Sequence, residues 1–180
     1  MEHFYKPAIK IVKDSNKNKE PFLKELKACH SLSQYLGISR DEKTNNYILV
    51  LSYIVYRSLN KNLIDIFKFE WKIKLKILHD IASNLGHIHS KGYLHRDLHL
   101  GNILLKENYE AYITDLGLSK PLDEKEQEER IHGVLPYIAP ELFQKNPYTK
   151  ASDIFSFGII IAEMTTGKRS FNNYKFDIDF

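Results

Sequence analysis

The sequence predicts an α+β fold in two lobes, a small β-rich lobe over residues 1–53 and a larger helical lobe over 54–180. Three observations carry this. Strand-like stretches crowd the first part of the chain, at 6–12, 34–40 and 46–53, with a single helix among them. Helical spacing dominates afterwards, at 58–67, 71–88 and 149–166. The later strands shrink to short pieces, at 103–105 and 111–114, set between polar loops.

The elements follow in order. The polar loop 14–19 ends the first strand, and Pro21 suits the first turn of a helix. Phe22, Leu26 and Cys29 line one face of that helix, and Glu25 falls along the same face. A carboxylate aimed at a core needs a cationic partner or a raised pKa, so Glu25 poses a question of its own. The turn-rich DEKTNN at 41–46 joins the next two strands. Trp71, Leu75, Leu78, Ala82, Leu85 and Ile88 mark a long amphipathic helix, which Lys91-Gly92 terminates. The stretch 121–130 is strongly charged and expected at the surface. The last helix, 149–166, is apolar on nearly all sides, with Ala151, Ile154, Phe155, Phe157 and Met164, and is expected in the middle of a domain.

Bulk properties narrow the function classes. An apolar content of 43% with 12% aromatics excludes general disorder. The net charge of +3 comes with no basic tract interleaved with aromatics, so nucleic acid is not an expected partner. The lone Cys29 cannot build a disulfide framework and suits a reducing compartment. The N-terminus has no apolar signal core, and the most apolar run, 154–164, falls short of the ~20 residues a membrane span needs. A soluble cytoplasmic protein with no membrane contact is the expectation, and its oligomeric state is left open.

One stretch concentrates chemistry. HRDLHLGN at 95–102 holds Asp97 and Asn102 in a single loop, and TDLGLS places Asp115 just after a strand. Two strands joined by a hairpin would bring Asn102 and Asp115 side by side, offering two hard oxygen donors of the kind that hold Mg²⁺ and phosphate. Asp97 is left to accept a proton from an attacking hydroxyl. Taken singly, Lys10 reads as a solvated lysine, Glu25 as a surface helix partner, Asp115 as a turn residue and His95 as a packed core histidine.

HRDLHLGN resembles the catalytic loop of eukaryotic protein kinases, H-R-D-L-x-x-x-N. Asp115-Leu116-Gly117 is similar to the DFG motif, Ala139-Pro140-Glu141 matches APE, Ala8-Ile9-Lys10 resembles the end of V-A-I-K, and SDIFSFG at 152–158 resembles the family's central helix. The five fall in the family's order over nearly the whole chain. The resemblance implies a two-lobed kinase fold and ATP-dependent phosphoryl transfer to serine or threonine hydroxyls of a protein substrate, with Mg²⁺. It implies Lys10 on the α and β phosphates, Glu25 holding Lys10, and Asp97 as base. Asn102 and Asp115 would hold metal, and Ser52, Tyr53 and Ile54 would meet the adenine edge. Asp153 would brace the catalytic loop, and Cys29, His95 and Leu116 would form part of an aligning hydrophobic stack.

The departures define the alternative. The first glycine is Gly37, well after Lys10, and only nine residues precede that lysine. The expected small lobe therefore lacks its first two strands and their Gly-rich phosphate loop. His99 and Gly101 stand where the family carries a lysine or an arginine, and Val134 replaces the threonine that partners that lysine. The chain ends at Phe180, so the helical lobe is expected to be incomplete, as in a fragment or half of an assembly. Between Ser119 and Tyr137 there is no hydroxyl to phosphorylate; Asp123, Glu124, Glu126, Glu128 and Glu129 read first as a solvated loop, and as an alternative they would offer standing carboxylates to Arg96. The competing reading is a pseudokinase or kinase fragment acting as a non-catalytic binding module.

Overall fold

The computed structural model describes residues 7–31, 35–52, 57–106, 108–122 and 131–171. Three antiparallel strands open the fold: β1 (Pro7–Ile11), β2 (Tyr35–Arg40) and β3 (Tyr47–Ser52), with β3 in the centre. The register pairs Lys10 with Leu49, so the Lys10 side chain leaves the sheet on the face where Leu49 is fully buried. Helix α1 (Glu20–Ser31) lies on this part of the molecule. Asn18 Oδ1 accepts from the Glu20 amide at its start, and the Phe22 ring stacks on Tyr47 of β3 at 4.6 Å.

The expected helix at 58–67 is broken. A strand piece β4 (Arg57–Ser58) leads into a 3₁₀ turn over 59–62, and only then into α2 (Leu63–Phe67). Asn62 sits at the break with φ −121°, where its side-chain amide donates to the Ser58 carbonyl at 2.9 Å. Such a local bond competes with helical continuation.

Helix α3 (Trp71–Ser90) has the expected length, and its inner face agrees with expectation at Leu85 and Ile88 but differs before them. Ile77, Ile81, Leu85 and Ile88 are buried together with Lys74, whereas Trp71 and Leu75 are each 59% exposed. The first two turns are apolar on two sides, with Ile73 and Ile77 on one and Trp71 and Leu75 on the other. Packing against the strand β7 (Ala111–Ile113) selects the Ile77–Ile81 side, and the Ala111 amide donates to Asp80 of the helix at 3.2 Å. The Lys74 ammonium lies over the Phe67 and Trp71 rings at 5.1 and 5.2 Å, which accounts for a lysine at a buried position.

Gly92, at φ 77°, turns the chain out of α3 into β5 (Tyr93–Leu94), which pairs with β8 (Lys120–Pro121). Between them β6 (Ile103–Leu105) and β7 form the expected hairpin, with Ile103 opposite Ile113. A short α4 (Pro140–Phe143) follows, then α5 (Lys150–Thr166), opened by a reciprocal Thr149–Ser152 capping box and closed by Gly167 at φ 68°.

Helix α5 corrects a second expectation. Its buried face carries Ser152, Asp153, Ser156 and Glu163 beside Ile160 and Met164, while Ile154 is 53% exposed. The polar groups face inward because each meets a partner there. Ser156 Oγ donates to the Tyr137 carbonyl at 2.7 Å, and Glu163 accepts from the Tyr137 hydroxyl and the Ser170 amide, both at 2.6 Å.

The inner face of α3 is checked by paired substitutions. Ile81→Ala is expected to lower unfolding stability by about 2–5 kcal/mol, and Leu75→Ala by no more than about 0.5 kcal/mol, in urea titrations. The reverse order would restore the stripe expected from spacing.

Candidate functional site

The loop 95–102 is built downward from Asp153. This carboxylate is 2% exposed, accepts the His95 amide on Oδ2 and the Arg96 amide on Oδ1, both at 2.9 Å, and meets His89 Nε2 at 2.8 Å. The two amides hold the backbone at Arg96 in the left-handed region, φ 69°, a conformation that costs a non-glycine residue about 1 kcal/mol or more. The Arg96 guanidinium lies over the Tyr148 ring at 4.0 Å.

His95 is fully buried and links this loop to the strand before Asp115. Its Nδ1 accepts from the Asp97 amide at 3.3 Å, so the ring proton sits on Nε2 and is donated to the Thr114 carbonyl at 3.2 Å. Burial holds its pKa below the usual histidine value, against the opposing pull of Asp153 and the Thr114 carbonyl. The imidazole is thus a neutral structural strut.

Asn102 donates both hydrogens of its amide to Asp97, at 2.9 Å to the carbonyl and 3.1 Å to Oδ2. Its amide oxygen is left pointing away from that contact. The β6–β7 hairpin does what the sequence led one to expect: the Thr114 amide and hydroxyl both donate to the Asn102 carbonyl, at 2.8 and 3.1 Å, which places Asp115 one residue from Asn102's backbone partner. Asp115 also takes a left-handed backbone, φ 61°.

Lys10 closes the site from the sheet. Its ammonium lies 2.6 Å from Glu25 Oε1 and 2.6 Å from Asp115 Oδ1. Glu25 is 6% exposed on the inner face of α1, and Lys10 is the cation its position called for. Burial alone would lower the Lys10 pKa; the hydrogen bonds to Asp115 and Glu25 and their charges outweigh it and raise the value above 10.5. Burial likewise pushes the Asp115 carboxyl upward, but the Lys10 hydrogen bond and charge, with the Gly117 amide, bring it below 3.8. Cys29, Leu116 and His95 are all buried, and burial with the Glu25 charge pushes the Cys29 thiol up to about 12.

Five of the expected site side chains are therefore placed in two linked groups, Lys10–Glu25–Asp115 and Asp97–Asn102, joined through the hairpin. Ser52 ends β3 opposite Pro7. Tyr53 and Ile54 lie outside the described residues, as do the acidic positions from Asp123 to Glu129. The sequence reading missed the Tyr137–Glu163 contact. A carboxylate inside an otherwise apolar helix was the signal that could have found it.

The protein kinase domain family matches residues 3–179, and the chain belongs to that family. A cysteine-rich receptor-like protein kinase of Oryza sativa is 34% identical over 82% of this chain and 24% of its own length. A probable serine/threonine-protein kinase of Dictyostelium discoideum is 35% identical over 96% of this chain and 30% of its own length. A wall-associated receptor kinase-like protein of Arabidopsis thaliana is 34% identical over 68% of this chain and 16% of its own length. The chain thus spans less than a third of each of these relatives. Among the described residues no helix is long and apolar enough to cross a membrane.

The Lys10 ion pairs set a pH-dependent stability. Lys10→Met is expected to cost about 1–3 kcal/mol near neutral pH, less than a fully buried pair because Lys10 is 36% exposed. Asp115 has a folded pKa below its unfolded one, so the stability it lends is full above pH 3.8 and disappears as pH falls through the folded value. Urea midpoints of wild type and Lys10→Met should therefore converge on the acid side of pH 3.8, and a gap unchanged there would contradict the pairing.

Proposed function

We propose that the chain transfers the γ-phosphate of ATP to serine or threonine hydroxyls of protein substrates, with Asp97 as the base. The observation that carries this is the joining of Lys10, Glu25 and Asp115 to Asp97 and Asn102 through one short hairpin. Phosphoryl transfer asks a protein mainly for positioning and charge neutralisation, which is what these groups offer. Lys10, held by Glu25, is the cation for the α and β phosphates. The backbone at Ser52, Tyr53 and Ile54 is the reading for the adenine edge.

The donor set fits Mg²⁺. Asn102 spends both amide hydrogens on Asp97, leaving its oxygen as a neutral hard donor, and Asp115 keeps Oδ2 while Oδ1 receives Lys10 and the Gly117 amide. Bound Mg²⁺ would supply neutralisation of phosphate charge. Among the described residues no three His, Cys, Asp or Glu side chains gather, which suits a cation held partly by phosphate oxygens.

The serine/threonine preference draws on the Dictyostelium relative, a probable serine/threonine-protein kinase, and on the segment GVLPYIAPE at 133–141. A reducing, ATP-supplied cytoplasmic setting suits the buried, weakly acidic Cys29 thiol. One observation favours the non-catalytic alternative: Lys10 already sits on Asp115 at 2.6 Å, so phosphate and metal must displace that contact to bind.

A single comparison separates the readings. Mg·ATP is expected to raise the melting temperature of wild type, and wild type is expected to phosphorylate serine- and threonine-containing peptides. Asp97→Asn should cut turnover by about 100-fold or more while keeping the Mg·ATP shift. A Mg·ATP shift without Asp97-dependent turnover would establish the binding module instead.

A further inference from the structure

Asn102 is not the only polar neighbour of the Asp97 carboxylate. His99 lies over the same loop, with its side chain 20% exposed and its Nε2 3.7 Å from Asp97 Oδ2. Its Nδ1 accepts from the Gly101 amide at 3.0 Å, capping the 3₁₀ turn over 100–102. A nitrogen that accepts carries no proton, so the neutral ring must carry its hydrogen on Nε2, the atom that faces Asp97. The Gly101 amide therefore fixes the tautomer, and the tautomer turns His99 into a donor toward the carboxylate.

The ring's position is set by close packing. A Cβ at residue 101 would meet His99 Cε1 at 2.6 Å and Nδ1 at 2.8 Å, so only glycine leaves room for this rotamer. The Tyr137 ring stands on another side, 5.9 Å between centroids, and is itself tied to Glu163. Residues 99 and 101 thus work as a pair: the glycine admits the ring, and the glycine amide orients it.

The two oxygens of Asp97 are consequently unequal. Oδ2 faces two donors, Asn102 Nδ2 at 3.1 Å and His99 Nε2 at 3.7 Å. Among the described residues no hydrogen bond reaches Oδ1, which lies toward Gly133, where a side chain would stand 3.5 Å away. We propose that His99 is a positioning residue: its Nε2–H and the Asn102 amide anchor Oδ2 and present Oδ1 to the incoming hydroxyl. The 3.7 Å separation exceeds hydrogen-bond length and shortens when substrate fills the cleft, as contacts around catalytic groups commonly do. The inference rests on the reading of Asp97 as the base, and it explains a histidine at the position where the kinase resemblance led one to expect a lysine.

Two substitutions divide the ring's functions. His99→Asn keeps an acceptor for the Gly101 amide and removes the donor that reaches Asp97. His99→Gln keeps a donor at the Nε2 position and removes the cap. His99→Asn and Gly101→Ala are both expected to lower kcat by about 10- to 100-fold with KM for ATP within about twofold. His99→Gln should recover most of that loss. In parallel, nitrogen NMR of the full chain should find His99 as the Nε2–H tautomer, with its Nε2 resonance displaced by Asp97→Asn. An Nδ1–H tautomer, an Nε2 resonance indifferent to Asp97→Asn, or full kcat in His99→Asn beside a dead Asp97→Asn would each overturn the proposal. A wild type without turnover would defeat the kinase reading alone, and the tautomer measurement would still decide this one.

Discussion

A single buried carboxylate sets the geometry of the cleft. Asp153 projects from the first turn of α5 and binds the consecutive amides of His95 and Arg96, with His89 of α3 on the same oxygen as His95. Buried and 2% exposed, it has no water to fall back on, so each of these donors matters. The contact fixes the strained backbone at Arg96, and that in turn decides where Asp97 points. His95 transmits the same constraint sideways, accepting from the Asp97 amide and donating to Thr114 at the end of β7. Two loops far apart in sequence are thereby referred to one atom group on one helix.

The second constraint is electrostatic. Lys10 is the cation through which the sheet meets the helical part, and it is shared between Glu25 and Asp115. Together they hold it at the junction, one from the buried side and one from the open side. Both contacts are 2.6 Å long, so the one ammonium ties the sheet at once to α1 and to the turn after β7. Asp97 and Asn102 are tied separately, the Asn102 amide nitrogen donating to the Asp97 carbonyl and to its Oδ2.

Much of this was legible from residue types. The strands, the hairpin and the long helices follow from periodicity and turn residues, and Glu25 announced its own partner by lying on an apolar face. What spacing could not supply was which side of an ambiguous helix turns inward. In α3 the first turns carry apolar residues on two sides, and only packing against β7 chose Ile77 over Leu75. In α5 apolar letters outnumber polar ones, yet Ser152, Asp153, Ser156 and Glu163 go inside because backbone donors and Tyr137 wait for them. A hydropathy pattern ranks side chains by their cost of burial in isolation, and it is blind to partners contributed by distant segments. The pairing of His99 with Gly101 was hidden for the same reason: two unremarkable letters acquire a role only once the ring is seen to need the space above the glycine.

The claim that Asp153 organises the cleft is tested most directly by amide hydrogen exchange in wild type and in Asp153→Asn. In wild type the His95 and Arg96 amides should exchange as slowly as those of the β6–β7 hairpin. In the variant those two amides should lose their protection, with the Asp97 amide following, while α3 and the hairpin remain protected. Unchanged protection at His95 and Arg96 in Asp153→Asn would contradict the account.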